Sequence, residues 1–253
     1  MTIDELFGEN IYQIEKDINN SKYPQTAKSL FRFYKKISSI KILIDKVTDS
    51  DEIYSAKILL RALFEHIIVA YYIFHRSQLE NDDKVGEDYY LRYFIHEFYK
   101  QAGYTQKIDN IRNNKTNNIS GYDYVRNKHK ELTEVTKQQY QKANQVGNQF
   151  KVDKILKQLN IKKDKNPDVN KLHDFMLGFL DEYNKLSSYV HGGPFSEKQT
   201  FDESIDLLKE KKYVKDWAES GVSAIKEEIL IFLIDDNPMY IKLLKLIMDE
   251  REK

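Results

Sequence analysis

The sequence predicts an all-α protein, a multi-helix bundle built as one domain over 1–253. Three observations predict it. Long segments repeat apolar residues at the spacing of a helix with one buried face. Chain breakers are few, with 9 glycines and 4 prolines in 253 residues, which favours long helices over many short strands. No segment carries a persuasive strand pattern. The chain is long enough to bury a core, and its 18 tyrosines and 13 phenylalanines make that core aromatic.

A first helix is expected over 2–19, where Thr2 and Glu5 resemble a capping box and Leu6, Ile11 and Ile14 form a partial stripe. Asn19, Asn20 and Ser21 end it, and Pro24 suits the first turn of the next helix. That helix runs to about Val47 on Ala27, Leu30, Phe31, Tyr34, Ile37, Ile40 and Leu43. Thr48-Asp-Ser-Asp then separates it from the strongest helix, Asp51 to about Gln78. Its apolar face includes Ile53, Ala56, Leu60, Leu63, Phe64, Ile67, Tyr71 and Phe74. So wide a face belongs at the centre of a bundle. Asn81-Asp-Asp breaks the chain again, and 87–112 reads as helix with an interruption at Gly103.

Residues 113–121 are rich in turn formers and read as a loop. The segment 122–146 reads as one helix, polar nearly all round, that lies on the surface or meets a protein partner. A short helix at about 152–159 and a loop at 161–167 follow, and 104–165 together form a polar helical insertion or surface lobe. Asp168–His191 carries a core stripe of Leu172, Phe175, Met176, Phe179, Tyr183, Leu186 and Val190. A polar connection after Pro194, two helices at 201–210 and 213–234, and a closing helix from Met239 to about Glu250 complete the chain.

Charge and composition exclude several functions. Forty basic and forty acidic residues cancel, which argues against a dedicated non-specific nucleic-acid binder. The lysine cluster from Lys151 to Lys165 has few aromatics and reads as a solvated face. Without cysteine there is no disulfide, no thiolate metal site and no cysteine nucleophile. The N-terminal stretch lacks signal-peptide character, and no run of about 20 apolar residues occurs, so a cytoplasmic protein outside the membrane is expected. Glycine-rich phosphate loops and dinucleotide fingerprints are missing, and His66, His75 and His96 lack metal-ligand spacing. No cofactor and no metal are expected.

One constellation points to chemistry. Ser187 and His191 are four apart at the end of a helix that stops at Gly192, Gly193 and Pro194. Tyr183 continues the face one turn back. Arg61 and Glu65 are likewise four apart on the central helix. Were the two helices to pack, Glu65 would hold the His191 ring and Arg61 would bind an anion beside it. Such a histidine suits a general base, and such an arginine suits phosphate. The alternative reading is a buried hydrogen-bond network that fixes the register of two core helices.

Arg61-Ala-Leu-Phe-Glu65 on one helix and Tyr183-Asn-Lys-Leu-Ser-Ser-Tyr-Val-His-Gly192 on a later one resemble a group of bacterial all-helical proteins. That group in turn resembles the HEPN superfamily (higher eukaryotes and prokaryotes nucleotide-binding). The similarity covers 51–78 and 168–193. It implies a HEPN-like helical bundle that often dimerises. Many such proteins are metal-independent ribonucleases acting as toxins or in phage defence. There a histidine, with an arginine shortly before it, carries the activity, supported by an acidic or polar group from another helix. His191 matches the histidine and Glu65 the support. Where the arginine is expected this chain offers Lys185, six residues before His191. Six positions turn through about 600°, which points Lys185 away from His191.

Three functions are therefore expected, in order. The first is a HEPN-like protein acting on RNA or nucleotides, as a homodimer, with His191, Arg61, Glu65 and Ser187 catalytic. Tyr183, Lys185 and Gly192 would bind substrate. The second is a non-catalytic adaptor or regulatory subunit that meets its partner through 122–146. The third is a nucleotide or small-molecule sensor using the aromatic residues Tyr71, Tyr72 and Tyr183.

Overall fold

The structure, a computed structural model, describes residues 3–114, 119–128, 134–159, 167–201, 206–233 and 238–251. Every regular element among them is helical, as the sequence predicts. Two short helices, α1 (Ile3–Glu9) and α2 (Ile11–Ile18), replace the single first helix, with the break at Asn10. The Thr2 cap lies outside the described residues. The long helices α3 (Pro24–Asp49) and α4 (Ile53–Glu80) follow, separated by a turn in which Asp51 takes φ 64°. Asn81, at φ 51°, ends α4 in the left-handed conformation, and its side-chain oxygen accepts from Lys22 Nζ at 2.9 Å and from the Tyr23 hydroxyl.

The N-terminus of α3 is closed from outside the helix. Asp83 accepts the Gln25 and Thr26 N–H groups, each at 2.7 Å. A carboxylate there satisfies two of the unpaired donors of the first turn and complements the helix dipole. This brings the next short helix, α5 (Lys84–Glu87), onto the α3 backbone. Gly86 makes the approach workable, since a Cβ on it would lie 2.5–2.7 Å from backbone atoms of Gln25 and Thr26.

From α5 the chain passes through a π-helical turn, Asp88–Tyr93, into α6 (Phe94–Arg112). The helix does not break at Gly103, where no packing partner demands it. The π turn places Tyr89 and Tyr93 together, with centroids 5.3 Å apart, and both meet Phe150 at 5.0 and 5.3 Å. Instead of one helix over 122–146, there are α7 (Gly121–Lys128) and α8 (Lys137–Gln149). Thr136 starts α8 with a reciprocal capping box: it accepts from Gln139 N at 3.2 Å, and Gln139 Oε1 accepts from Thr136 N at 2.8 Å.

A second, smaller core forms here. Tyr99, Ala102, Tyr122, Tyr124 and Val125 are buried together, with Ile95, Phe98, Val135 and Tyr140 against them. It draws on α6 residues upstream of 104. The short α9 (Val152–Gln158) then returns to α4, with the Tyr72 hydroxyl donating to Gln158 Oε1 at 2.5 Å. The loop expected at 161–167 lies almost wholly outside the described residues.

The last part of the chain is α10 (Pro167–Val190), α11 (Pro194–Phe201), α12 (Leu207–Leu233) and α13 (Pro238–Arg251). A helix, rather than a polar connection, follows Pro194, because proline at a first helical position is preorganised to start one. The expected pair 201–210 and 213–234 is a single helix, α12, from Leu207. Asp206 caps it by accepting Leu208 and Lys209 N–H at 3.1 Å.

In the main bundle α3, α10 and α12 all pack on α4. Phe64 meets Phe179 of α10 at 5.0 Å, while Arg61 reaches Tyr183, so α10 runs antiparallel to α4. Lys57 meets Glu210, Phe64 meets Trp217 and Phe74 meets Phe232, so α12 runs parallel to it. By length and composition α4 would cross a membrane, but 67% of that stretch is buried in the bundle.

Gly86→Ala forces the methyl onto backbone that has little room to retreat, and we expect a loss of about 3 kcal/mol. Gly103→Ala adds a methyl with nothing within 4 Å, and a gain of about 0.5–1 kcal/mol is expected from helix propensity. Urea denaturation of the two variants checks the opposed signs.

Candidate functional site

The end of α10 is built by its backbone. Gly192 takes φ 59°, a conformation that suits glycine. The Gly193 N–H donates to Ser188 O at 3.3 Å and the Gly192 N–H to Tyr189 O at 3.4 Å. These two bonds make a Schellman motif with His191 as the capping residue. Tyr54 strengthens the end by donating its hydroxyl to Tyr189 O at 2.8 Å. His191 itself is exposed, and its ring makes no hydrogen bond or ion pair among the described residues.

Arg61 and Glu65 are not beside it. Arg61 donates to Glu65 Oε2 and to the Tyr183 hydroxyl, each at 2.7 Å, and its guanidinium lies 4.6 Å from the centre of the Tyr183 ring. Burial, then the Glu65 charge, holds the Tyr183 phenol above its ordinary pKa against the pull of Arg61. It therefore stays protonated at neutral pH. Tyr183 and His191 are eight residues apart on α10, which is about 12 Å along the axis. Glu65 thus holds Arg61, and the contact expected between Glu65 and the His191 ring is not made. Ser187 lies between the two levels and donates to the Tyr183 carbonyl at 3.1 Å. Tyr71 and Tyr72 are buried, and ten residues separate Tyr71 from Arg61 on α4, about 15 Å. None of Tyr71, Tyr72 and Tyr183 lines the cavity described below.

Lys185 does point away from His191. Its Nζ pairs with Asp181 at 2.8 Å and Glu182 at 2.6 Å. These hydrogen bonds hold its pKa above the lysine value.

The side of α10 that Lys185 shares with Glu182, Leu186 and Tyr189 borders a cavity of about 530 Å³, closed by Lys57 of α4 and by Glu210 and Tyr213 of α12. It lies where α10 and α12, both seated on α4, part at the N-terminal end of that helix. Two charge networks line it. Lys57, only 5% exposed, donates to Glu210 Oε2 at 2.6 Å and to the Tyr189 hydroxyl at 3.0 Å. Burial works to lower its pKa, but the bonds to Glu210 and Tyr189 outweigh it and the net shift is upward. In the second network the Tyr213 hydroxyl donates to Glu182 Oε2, whose other oxygen takes Lys185. Burial first, then Glu182, pushes the Tyr213 phenol far up, so it remains a donor.

Sequence reading named Lys185 but missed Lys57, Glu182, Tyr189, Glu210 and Tyr213. The available signal was Lys57: it sits on the apolar face of the central helix, beside Ile53, Ala56 and Leu60, where a charge needs a partner. No group of three or more histidine or acidic side chains able to hold a metal occurs among the described residues.

Fold and site together define an all-α bundle with a charge-lined cavity and an exposed histidine at one end. The chain belongs to the DUF5677 family, a family of unknown function, whose sequence model matches residues 26–207, more than half of the chain. The matched span includes Lys57, Arg61, Glu65 and all of α10, and stops before Glu210 and Tyr213. No curated protein and no solved structure matches this chain.

Lys57→Ala leaves Glu210 and the Tyr189 hydroxyl without their donor. We expect a cost of about 2 kcal/mol, below that of a fully buried pair because Glu210 keeps some water. The folded pKa is the higher one, so this contribution is complete below the unfolded lysine value, about 10.4, and is lost as pH climbs through the folded one. Chemical denaturation should therefore show the variant closest to wild type in strong base.

Proposed function

We propose that this chain is a HEPN-like helical protein that acts on RNA or nucleotides, with His191 as the group that moves the proton. The observation that supports this is the exposed imidazole at a helix end locked by the Schellman motif and by Tyr54. A ring with no hydrogen bond among the described residues is open to a substrate, and the helix end that carries it is held by its own backbone bonds. In this reading the imidazole takes the proton of a ribose 2′-hydroxyl. The 2′-oxygen then attacks the adjacent phosphorus, the 5′-oxygen of the next nucleotide departs with a proton, and a 2′,3′-cyclic phosphate remains.

Arg61 has a different part from the one its sequence position suggests. It is neutralised by Glu65 and fixed by Tyr183, and so it sets the register of α4 against α10. The cation facing the phosphate comes instead from a second copy of the chain, in keeping with the dimers of the proteins it resembles.

Wild-type protein should cleave RNA in the presence of EDTA and leave 2′,3′-cyclic phosphate ends. His191→Ala should lose at least about 100-fold in rate, the usual order for a general base, with an unchanged melting temperature. Cleavage at the wild-type rate by the variant, or products with 3′-hydroxyl ends, contradicts the proposal.

A second reading, a non-catalytic adaptor, has its own support. Tyr104, Ile108 and Ile111 form an exposed stripe on α6 at 56%, 48% and 77% exposure. Such an i, i+4, i+7 row is the pattern by which one helix meets another. Here Ile108→Asp should abolish capture of a protein partner and leave RNA cleavage untouched.

A further inference from the structure

The cavity between α10, α4 and α12 restricts what can occupy it. Lys57 and Lys185 face Glu182 and Glu210 across it, so its formal charge cancels. A free anion gains no net attraction there. Tyr189, Tyr213 and Leu186 supply a partly aromatic wall. Around that wall stand two carboxylates, Glu182 already bonded by Tyr213 and Lys185 and Glu210 by Lys57, whose oxygens have room for a further bond, and an amide, Asn184, and a hydroxyl, Ser188, able to donate and accept. The volume, about 530 Å³, lies within the range of small-molecule sites. These are the requirements of a flat, neutral ligand with hydrogen-bonding edges.

Position adds a second constraint. Asn184 and Ser188 line one edge of the cavity, and His191 follows them at i+7 and i+3 just past that edge, while Glu182, Lys185, Leu186 and Tyr189 line the side turned away from it. From Ser188 to His191 the helix rises about 4.5 Å. Along the axis His191 therefore stands about one turn beyond the Ser188 edge of the cavity.

We propose that the cavity is a nucleobase pocket. It takes one unstacked base of an RNA against the Tyr189–Tyr213 wall, with Glu182 and Glu210 reading the edge of the base. The attached ribose passes along Ser188 to His191. This rests on the reading of His191 as the general base and names the substrate class of that site. Single-stranded RNA is commonly recognised in this way, by bases placed on aromatic side chains and bonded at their edges. Carboxylates accept from exocyclic amines. Adenine, cytosine and guanine carry such amines, while uracil offers carbonyl oxygens instead.

The test uses nucleosides without phosphate, which removes charge steering. Adenosine, cytidine, guanosine and uridine are titrated into the full-length protein by saturation-transfer NMR and calorimetry. The expected result is binding of the three amine-bearing nucleosides at least about tenfold tighter than uridine. Ser188→Trp fills the cavity mouth from a half-buried position, and Tyr213→Ala removes part of the wall; each should abolish binding. Thermal melts confirm that at least one of the two variants is folded. The proposal is overturned by no binding of any nucleoside at millimolar concentration, by equal binding of uridine, or by binding that survives in a folded variant. Nucleoside binding without RNA cleavage sinks the catalytic reading and leaves the pocket standing. RNA cleavage at the wild-type rate by folded Ser188→Trp does the reverse.

Discussion

The bundle depends on the burial of α4. From Ile67 to His75 every side chain of this helix is buried, so no single neighbour can cover it. Three long helices enclose it: α3 and α10 antiparallel, and α12 parallel. Close approach is needed for this, and Gly221 of α12 provides it by sitting directly against Leu63 and Ile67. The enclosure ends toward the N-terminus of α4. There α10 stops at Val190 and α12 has only begun at Leu207. At that level the α4 face carries Lys57 in place of an apolar residue. A buried ammonium is tolerated only with partners, and Glu210 and Tyr189 supply them from α12 and α10. The same gap that admits a lysine leaves the cavity.

Much of this was legible in the amino acids, though unevenly. The long helices could be read because burial imposes a periodicity that side chains display directly. Their ends were harder. Thr136 and Gln139 form a capping box that was present in the sequence, yet the polar character of 122–146 masked it. Lys211 and Lys212 fell between two expected helices, 201–210 and 213–234. In α12 these lysines belong to a continuous surface, and Lys211 pairs with Asp51 while Lys212 reaches Asp216 at 2.6 Å. Exposed charge of this kind interrupts a hydrophobic pattern without interrupting a helix. Asp83 shows the other limit. It closes α3 from nearly sixty residues away, and no local pattern announces a cap that arrives through tertiary structure.

The candidate site divided for a related reason. The pairing of Arg61 with Glu65 follows from spacing alone, and their meeting with α10 followed from two amphipathic helices. Which turn of α10 faces which turn of α4 does not follow from either helix. It is set by Phe64 against Phe179 and by Tyr54 on the Tyr189 carbonyl. That register puts Tyr183 opposite Arg61 and carries His191 two turns further. Periodicity gives the angle at which a residue leaves its helix, while packing gives the height. The sequence reading had the angle of His191 and lacked its height.

This division separates support from chemistry. Arg61 already has a carboxylate, a phenol and an aromatic face. Moving it to a phosphate would strand Glu65 and break the link that fixes α10, so its present partners compete with any substrate. Among the described residues His191 has no such partner. The two backbone bonds of the Schellman motif and the Tyr54 bond fix the helix end beneath it, and none of them uses the imidazole. The cavity two to three residues back is lined by groups whose charges already cancel, so the proposed neutral base would meet no net field. The resulting arrangement pairs the charges around the cavity and leaves the His191 ring exposed at the helix end. For a protein with no net charge to draw nucleic acid in, the proposed binding of RNA would rest on shape and base edges rather than on phosphate.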